Sequence, residues 1–272
     1  MTGTTLNVDT IIQGDCLEEM KKLPDKSIDM ILCDLPYGTT ACKWDHVIPF
    51  EPLWKEYKRL IKDRGAIVLT AQEPFASHMR LSNIDMYKYD WIWEKSNPTG
   101  MGQANKRPMR YHELVCIFYQ NHPVFNKQMI ARDSPRIQQA RASGYKFNVS
   151  STMTGNQQSI AYKDIDPDRY DANFKNPSSI IKINSLRANS GEWVSHPTQK
   201  PVALFEYLIK TYTNEGDLVL DNCIGSGTTA VAAKRTGRHF IGIELSPEYC
   251  EIARKRVAAV PARLDRWAEA DA

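Results

Sequence analysis

Leu218-Val219-Leu220-Asp221-Asn222-Cys223-Ile224-Gly225-Ser226-Gly227-Thr228-Thr229-Ala230 begins as a short apolar run, turns on two glycines and ends as the start of a helix. A strand that runs through a glycine turn into a helix lets the backbone approach a ligand closely, and a small residue such as Ala230 lets the helix lie close on the sheet. Glu244 ends the next apolar run, 19 residues after Gly225, where a carboxylate can accept both hydroxyls of an adenosine ribose. A plain structural turn is the competing reading of the glycines. Only 28 residues follow Glu244, too few for the further strands of a nicotinamide-binding unit. The rest of the sheet must come from upstream. That order favours a permuted adenosylmethionine site over a dehydrogenase.

Working outward, the first 120 residues alternate short apolar runs with helical spacing. Strands are predicted at Thr10–Gln13, Ile28–Cys33, Ala66–Thr70, Tyr89–Trp93 and Leu114–Tyr119. Leu53, Tyr57, Leu60 and Ile61 give a helix stopped at Asp63-Arg64-Gly65, and Pro74 opens another through Met79. After Pro197 the alternation returns. Val202, Phe205, Leu208, Ile209 and Tyr212 share a helix face, Leu218–Leu220 and His239–Ile243 are strands, and Thr228–Arg235 is a helix between them. Ser246 caps a last helix to about Ala259. Neither end has enough strands alone. The economical fold is α/β: one mostly parallel, seven-stranded sheet built from both ends, with helices on both faces. Residues 121–195 lose apolar periodicity and read as an irregular insertion, with Tyr145, Phe147, Tyr162, Tyr170, Phe174 and Trp193 favouring partial order. Three segments follow: 1–120, 121–195 and 196–272.

Hydrophobic residues are 42% of the 272 and charged residues 25%, which excludes a disordered or fibrous chain. No apolar run reaches membrane-span length, and MTGTTLNVDT does not read as a secretory signal, so a cytoplasmic, membrane-free protein is expected. The six cysteines show no zinc-clip spacing, and no metal site is expected. Net charge is +3, yet residues 95–146 hold nine Lys/Arg against Glu113 and Asp133, a local +7 that leaves −4 elsewhere. Such a stretch fits either a polyanion contact or a solvated surface.

Asp34-Leu35-Pro36-Tyr37-Gly38 directly follows the strand Ile28–Cys33, at the carboxyl end where open sheets bind ligands. Asp and Pro also favour ordinary turns. Asp34 offers a carboxylate and Tyr37 an aromatic face.

With these residues the chain resembles the amino-group DNA methyltransferases. The tetrapeptide is similar to their Asp-Pro-Pro-Tyr signature, and Asp221–Thr229 to their Asp-Pro-Phe-x-Gly-Ser-Gly-Thr-Thr loop. His196-Pro197-Thr198-Gln199-Lys200-Pro201 matches the segment that precedes that loop, and Gly14-Asp15-Cys16 resembles their early adenine-pocket segment. The order is that of the β group. Leu35 stands where the family has its first proline, and Asn222-Cys223 where it has Pro-Phe. The resemblance implies a Rossmann-like fold, S-adenosyl-L-methionine as cofactor and double-stranded DNA as substrate. The insertion would be a target-recognition region, and the protein would be associated with the nucleoid in a prokaryotic or phage-infected cell. Family members often pair, so a homodimer stays open.

It also implies site residues. Asp34, Leu35, Pro36 and Tyr37 would be catalytic. Asp34 and the Leu35 carbonyl would accept the amino N–H groups of a flipped-out base, and Tyr37 would stack on it. Asp15, Cys16, Asp34, His196, Thr198, Lys200, Asp221, Cys223, Gly225, Ser226, Gly227, Thr228, Glu244 and Leu245 would surround the cofactor. Thr198 and Lys200 would meet its carboxylate at a helix start. Lys106, Arg107, Arg136 and Arg141 would contact DNA, with Gln138, Gln139 and Asn148 also suited to base edges. No Pro-Cys dipeptide occurs, which argues against cytosine C5 methylation. Asp rather than Ser opening the tetrapeptide favours adenine N6 over cytosine N4. An enzyme acting on RNA or a protein amide and a non-catalytic DNA-binding partner remain alternatives.

Overall fold

A computed structural model gives the fold; it describes residues 6–39, 45–131, 174–186, 191–194 and 199–261. In chain order the elements begin with β1 (Thr10–Gln13), α1 (Cys16–Met20), β2 (Ile28–Cys33), α2 (Phe50–Leu60), β3 (Ile61–Ala71) and α3 (Phe75–Ser82). They continue with β4 (Tyr87–Thr99), β5 (Arg110–Phe118), β6 (Ile130–Ala131), β7 (Phe174–Lys175) and β8 (Ile180–Lys182). The last are α4 (Val202–Tyr212), β9 (Leu218–Asp221), α5 (Thr228–Arg235), β10 (His239–Glu244) and α6 (Pro247–Ala258).

Two compact units emerge: Met1–Asn126 with Ser179–Ala272, and Lys127–Ser178. The second is narrower than the 121–195 expected. Its described strands, β6 and β7, pair antiparallel. The first holds a sheet of eight strands in the order β1-β10-β9-β2-β3-β5-β4-β8. All are co-directional except β5, which runs antiparallel to both β3 and β4. The strand beyond the seven expected is β8. It is three residues long with only Ile181 buried, too short to show a period.

Several element boundaries also differ from expectation. Helix α2 ends at Leu60, and Asp63-Arg64-Gly65 lies inside β3 instead of stopping a helix. A Cβ on Gly65 would come within 2.7 Å of the Asp29 carbonyl, so the glycine permits close approach of β3 to β2. Strand β4 runs beyond the expected Trp93 to Thr99, past an irregular register with β5.

The central strands show why both chain ends are needed. Met30 and Ile31 of β2 pair with Val219 and Leu220 of β9. On one face Met30 and Leu32 pack with Phe205, Leu208 and Ala232 from α4 and α5. On the other Ile31 and Cys33 pack with Leu53, Tyr57 and Leu60 of α2. Each such aliphatic or aromatic side chain, buried, contributes about 1.5–3 kcal/mol against exposure. Asp34 and Asn222 therefore leave neighbouring strands at the same, carboxyl, edge. Among the described residues no helix is long and apolar enough to cross a membrane.

Candidate active site

A cavity of about 1090 Å³ opens along that edge, bordered by residues following β1, β2, β9 and β10 and by the ends of β4 and β5. Asp34 stands at one end. Its Oδ1 accepts hydrogen bonds from the Tyr37 hydroxyl (2.6 Å) and from the Thr70 hydroxyl. Its Oδ2 accepts from the Lys200 ammonium at 2.6 Å. Lys200 also lies 3.4 Å from Glu113 Oε2, and Lys95 donates to Glu113 Oε1 at 3.0 Å. Burial lowers the Lys200 pKa, but the Asp34 and Glu113 carboxylates outweigh it and hold the pKa above the ordinary lysine value. Burial, then the Asp34 and Glu113 charges, raise the Tyr37 phenol well above its usual value, so it remains a donor. The Tyr37 ring lies 5.0 Å from Phe75, tilted at 32°.

The turn after the tetrapeptide is braced by buried Asp45. Its two carboxylate oxygens accept from Gly38 N (2.8 Å) and Thr39 N (2.9 Å), and Gly38 itself has φ +68. Leu35 buries its side chain in the core, and Pro36 lines the cavity.

At the other end the acid after β10 is fixed by main chain. Glu244 Oε2 accepts from Gly225 N at 2.9 Å and Oε1 from Ser246 N at 2.8 Å. A carboxylate has about four acceptor sites. Leu245 N adds a third backbone bond to this carboxylate, so about one of the four sites is left for a hydroxyl of a diol. Burial raises the Glu244 pKa despite these bonds. Asp221 accepts from Cys223 N at 3.0 Å and from the Thr229 hydroxyl, and burial pushes its pKa up to about 7.

The Asn222-Cys223 departure is accommodated by packing from the amino-terminal half. Tyr57 donates to Asn222 Oδ1 at 2.5 Å, across 165 positions of sequence. Cys16 and Cys223 both line the cavity as free thiols, and contact with Cys223 together with burial raises the Cys16 pKa. Burial pushes the Cys33 thiol up to about 12, in keeping with a strand residue and not a nucleophile.

The remaining expected residues divide. Asp15 caps α1 through Leu17 N (2.9 Å) and Glu18 N (3.2 Å) at the cavity wall, and exposed Leu245 sits on its rim. Ser226 and Thr228 are buried in the loop, braced by the Arg256 guanidinium. Gly227 is not a cavity residue. A Cβ there would approach Ala253 Cβ to 2.8 Å, so it serves the packing of α5 on α6. Lys200 is aimed at Asp34 and Glu113, not left free at its helix start. Arg107 lines the cavity and Lys106 is exposed beside it, whereas Lys95, counted with the basic stretch, is buried and paired. His196, Thr198, Arg136, Arg141, Gln138, Gln139 and Asn148 lie outside the described residues.

The family model described as DNA methylase, for N6- and N4-methylating enzymes, matches residues 28–255. The chain belongs to this family of DNA methylases. The methylase is 32% identical over 266 residues to the DNA adenine methyltransferase YhdJ of Escherichia coli (strain K12), covering 91% of this chain and 82% of that protein. Among solved structures, the M1.HpyAVI–SAM complex is 24% identical with a TM-score of 0.57, over 91% of this chain and 98% of that one. The cytosine-N4-specific PvuII DNA methyltransferase is 18% identical with a TM-score of 0.62, over 91% and 85%. These two likenesses show a shared fold. As a DNA methylase of this family, the protein takes S-adenosylmethionine as methyl donor.

Sequence reasoning missed Thr70, Asp45, Lys95 and Glu113 in this methylase. Thr70 carries a faint signal, a lone polar side chain ending the apolar run Ala66–Leu69. The other three have none until strands and loops are placed.

Proposed function

We propose that the methylase transfers a methyl group to the exocyclic N6 of an adenine flipped out of double-stranded DNA. The observation carrying this reading is the Asp34 carboxylate, locked by three side-chain donors at the edge of the same cavity whose far end presents Glu244 and Gly225 N. An opening Asp in the tetrapeptide and the adenine-directed relative support adenine over cytosine.

The donor set fits S-adenosylmethionine. The Glu244 carboxylate, fixed by main chain at the cavity wall, suits the ribose hydroxyls, with Asp15, Cys16, Cys223 and Leu245 flanking them. When bound, the cofactor supplies an electrophilic sulfonium methyl. Asp34 takes one amino N–H of the base and the Leu35 carbonyl the other, favouring a nitrogen whose lone pair is available. Tyr37 stacks on the base and offsets part of the unstacking cost, such contacts being worth about 1–3 kcal/mol. As the N–C bond forms and the S–C bond breaks, the methylated nitrogen becomes cationic, and only then does it shed a proton, by way of the Asp34 carboxylate to solvent. Positioning, not prior deprotonation, supplies the rate gain. Exposed Lys106 and Arg107 approach phosphates, which position without specifying; Arg136 and Arg141 extend that basic surface in sequence.

Incubating the protein with plasmid DNA and labelled donor, then digesting to nucleosides for mass spectrometry, tests this. N6-methyladenine is the expected product. N4-methylcytosine would replace the base assignment, and no methylated nucleoside would refute the reaction.

A further inference from the structure

Behind Asp34 lies a row of four alternating charges: Asp34, Lys200, Glu113 and Lys95. The Lys95 side chain is 2% exposed, Lys200 8% and Glu113 13%. Trp93 and Glu113 are directly paired across β4 and β5, and Lys95, two residues on, emerges on their shared face. The Lys95 ammonium is 6.0 Å from the Trp93 ring centre, and Trp93 is itself tied to the Ile183 carbonyl at 2.8 Å. Buried ion pairs contribute little net stability over apolar packing. Two lysines and a glutamate largely buried in a cavity wall therefore call for another role.

Lone-pair counting indicates one. Tyr37 and Thr70 occupy both acceptor sites of Asp34 Oδ1, and Lys200 occupies one of two on Oδ2. A single site, on Oδ2, remains for a substrate N–H. It stays free only if the Lys200 ammonium is held to the side, where Glu113 Oε2, 3.4 Å away and without a hydrogen-bond partner among the described residues, attracts it by charge. We infer that Glu113 is a positioning residue for methyl transfer: paired with Lys95, it retains Lys200 on one lone pair of Asp34 and keeps the other open to the amino group. This rests on the reaction proposed above. The groups facing Lys200 are Asp34 and Tyr37 after β2, Glu113 on β5 and, beyond it, Lys95 on β4. Without Glu113, the ammonium keeps one carboxylate against the same burial and loses its proton at lower pH.

The test uses the full chain, S-adenosylmethionine and a duplex that the wild type methylates. Glu113→Gln is expected to lower kcat roughly 10- to 100-fold, the cost of a misplaced reacting group. Donor affinity by calorimetry should stay within about twofold, as for sites that share no partners. On the alkaline limb of the profile, its kcat should begin to fall at a lower pH than that of the wild type, the effect of one lost opposite charge. The double variant Lys95→Met/Glu113→Gln removes the stranded lysine charge and carries the test if the single variant folds poorly. It should recover wild-type thermal stability yet keep the low kcat and the shifted limb. A double variant with wild-type kcat would show that Glu113 merely neutralises Lys95 and would overturn the inference. So would Glu113→Gln with unchanged kcat and pH profile. A wild type that transfers no methyl group to DNA would instead refute the underlying reaction, and the inference with it.

Discussion

At the glycine-loop end of the cavity, Glu244 is held by the backbone N–H groups of Gly225 and Ser246, and Asp221 by Cys223 N and the Thr229 hydroxyl. At the Asp34 end the acid is held by side chains alone, two of them distant in sequence: Thr70 is 36 positions away and Lys200 166. Backbone donors do not depend on the side chains around them, so on the proposed reading the Glu244 end serves as a generic nucleoside cradle. Side-chain donors from separate elements orient a carboxylate only when the whole sheet is assembled, so the second end can be tuned to one chemical step. Substrate binding and chemistry should therefore separate by end.

The sharpest separation is expected from Asp34→Ala. Transfer should fall by roughly 100- to 1000-fold, the cost of removing one preorganised polar contact, while calorimetry shows the donor still bound. Glu244→Gln probes the opposite end. It exchanges a charged acceptor for a neutral one, and bonds to charged groups contribute about 1.5–3 kcal/mol. The donor dissociation constant should rise by about 10- to 100-fold, with kcat at saturating donor little changed. If either variant moved both constants equally, the two ends would not be independent.

Smaller effects sharpen the contrast within the loop. Gly227 has φ +87 and abuts Ala253, so Gly227→Ala should lower stability by about 1–3 kcal/mol, as overpacking does. The loss would be read in the denaturation midpoint, not in donor affinity measured on the remaining folded protein. Asp221 gives a pH signature. Unfolded, its carboxyl ionises near 3.9; folded, burial holds the proton to about 7. The native state binds more protons across that window, so stability contributed there is present below about 4 and lost as pH rises toward 7. Thermal melts of Asp221→Asn should show a flatter decline over the same window; an unaltered slope would mean that Asp221 is not the titrating group.

Which parts of the site are legible in sequence follows from the same contrast. Gly225 and Glu244 announce themselves because a strand, a turn and a helix within 19 residues fix both. Asp34 and Tyr37 are readable because they follow a strand apolar but for Asp29, which places them at a ligand-binding edge. Glu113 and Lys95 read as ordinary surface charge, because only the β4–β5 register turns them inward onto one face. Asp45 braces Gly38 from a segment with no motif, and the Tyr57–Asn222 bond crosses from one chain end to the other. Strand β8 escapes because three residues with one buried carry no period. Gly227 was legible as an indispensable glycine but not in its purpose, since a tight turn and a close helix contact impose the same residue.

The central claim is that a base enters between Asp34 and the glycine loop and rests against Tyr37. It is tested most directly by photocross-linking. A duplex carrying 5-iodouracil in place of the target base, irradiated on the protein and mapped by tandem mass spectrometry, should form its adduct on Tyr37. Adducts confined to peptides outside the cavity, with Tyr37 unmodified, would contradict the account.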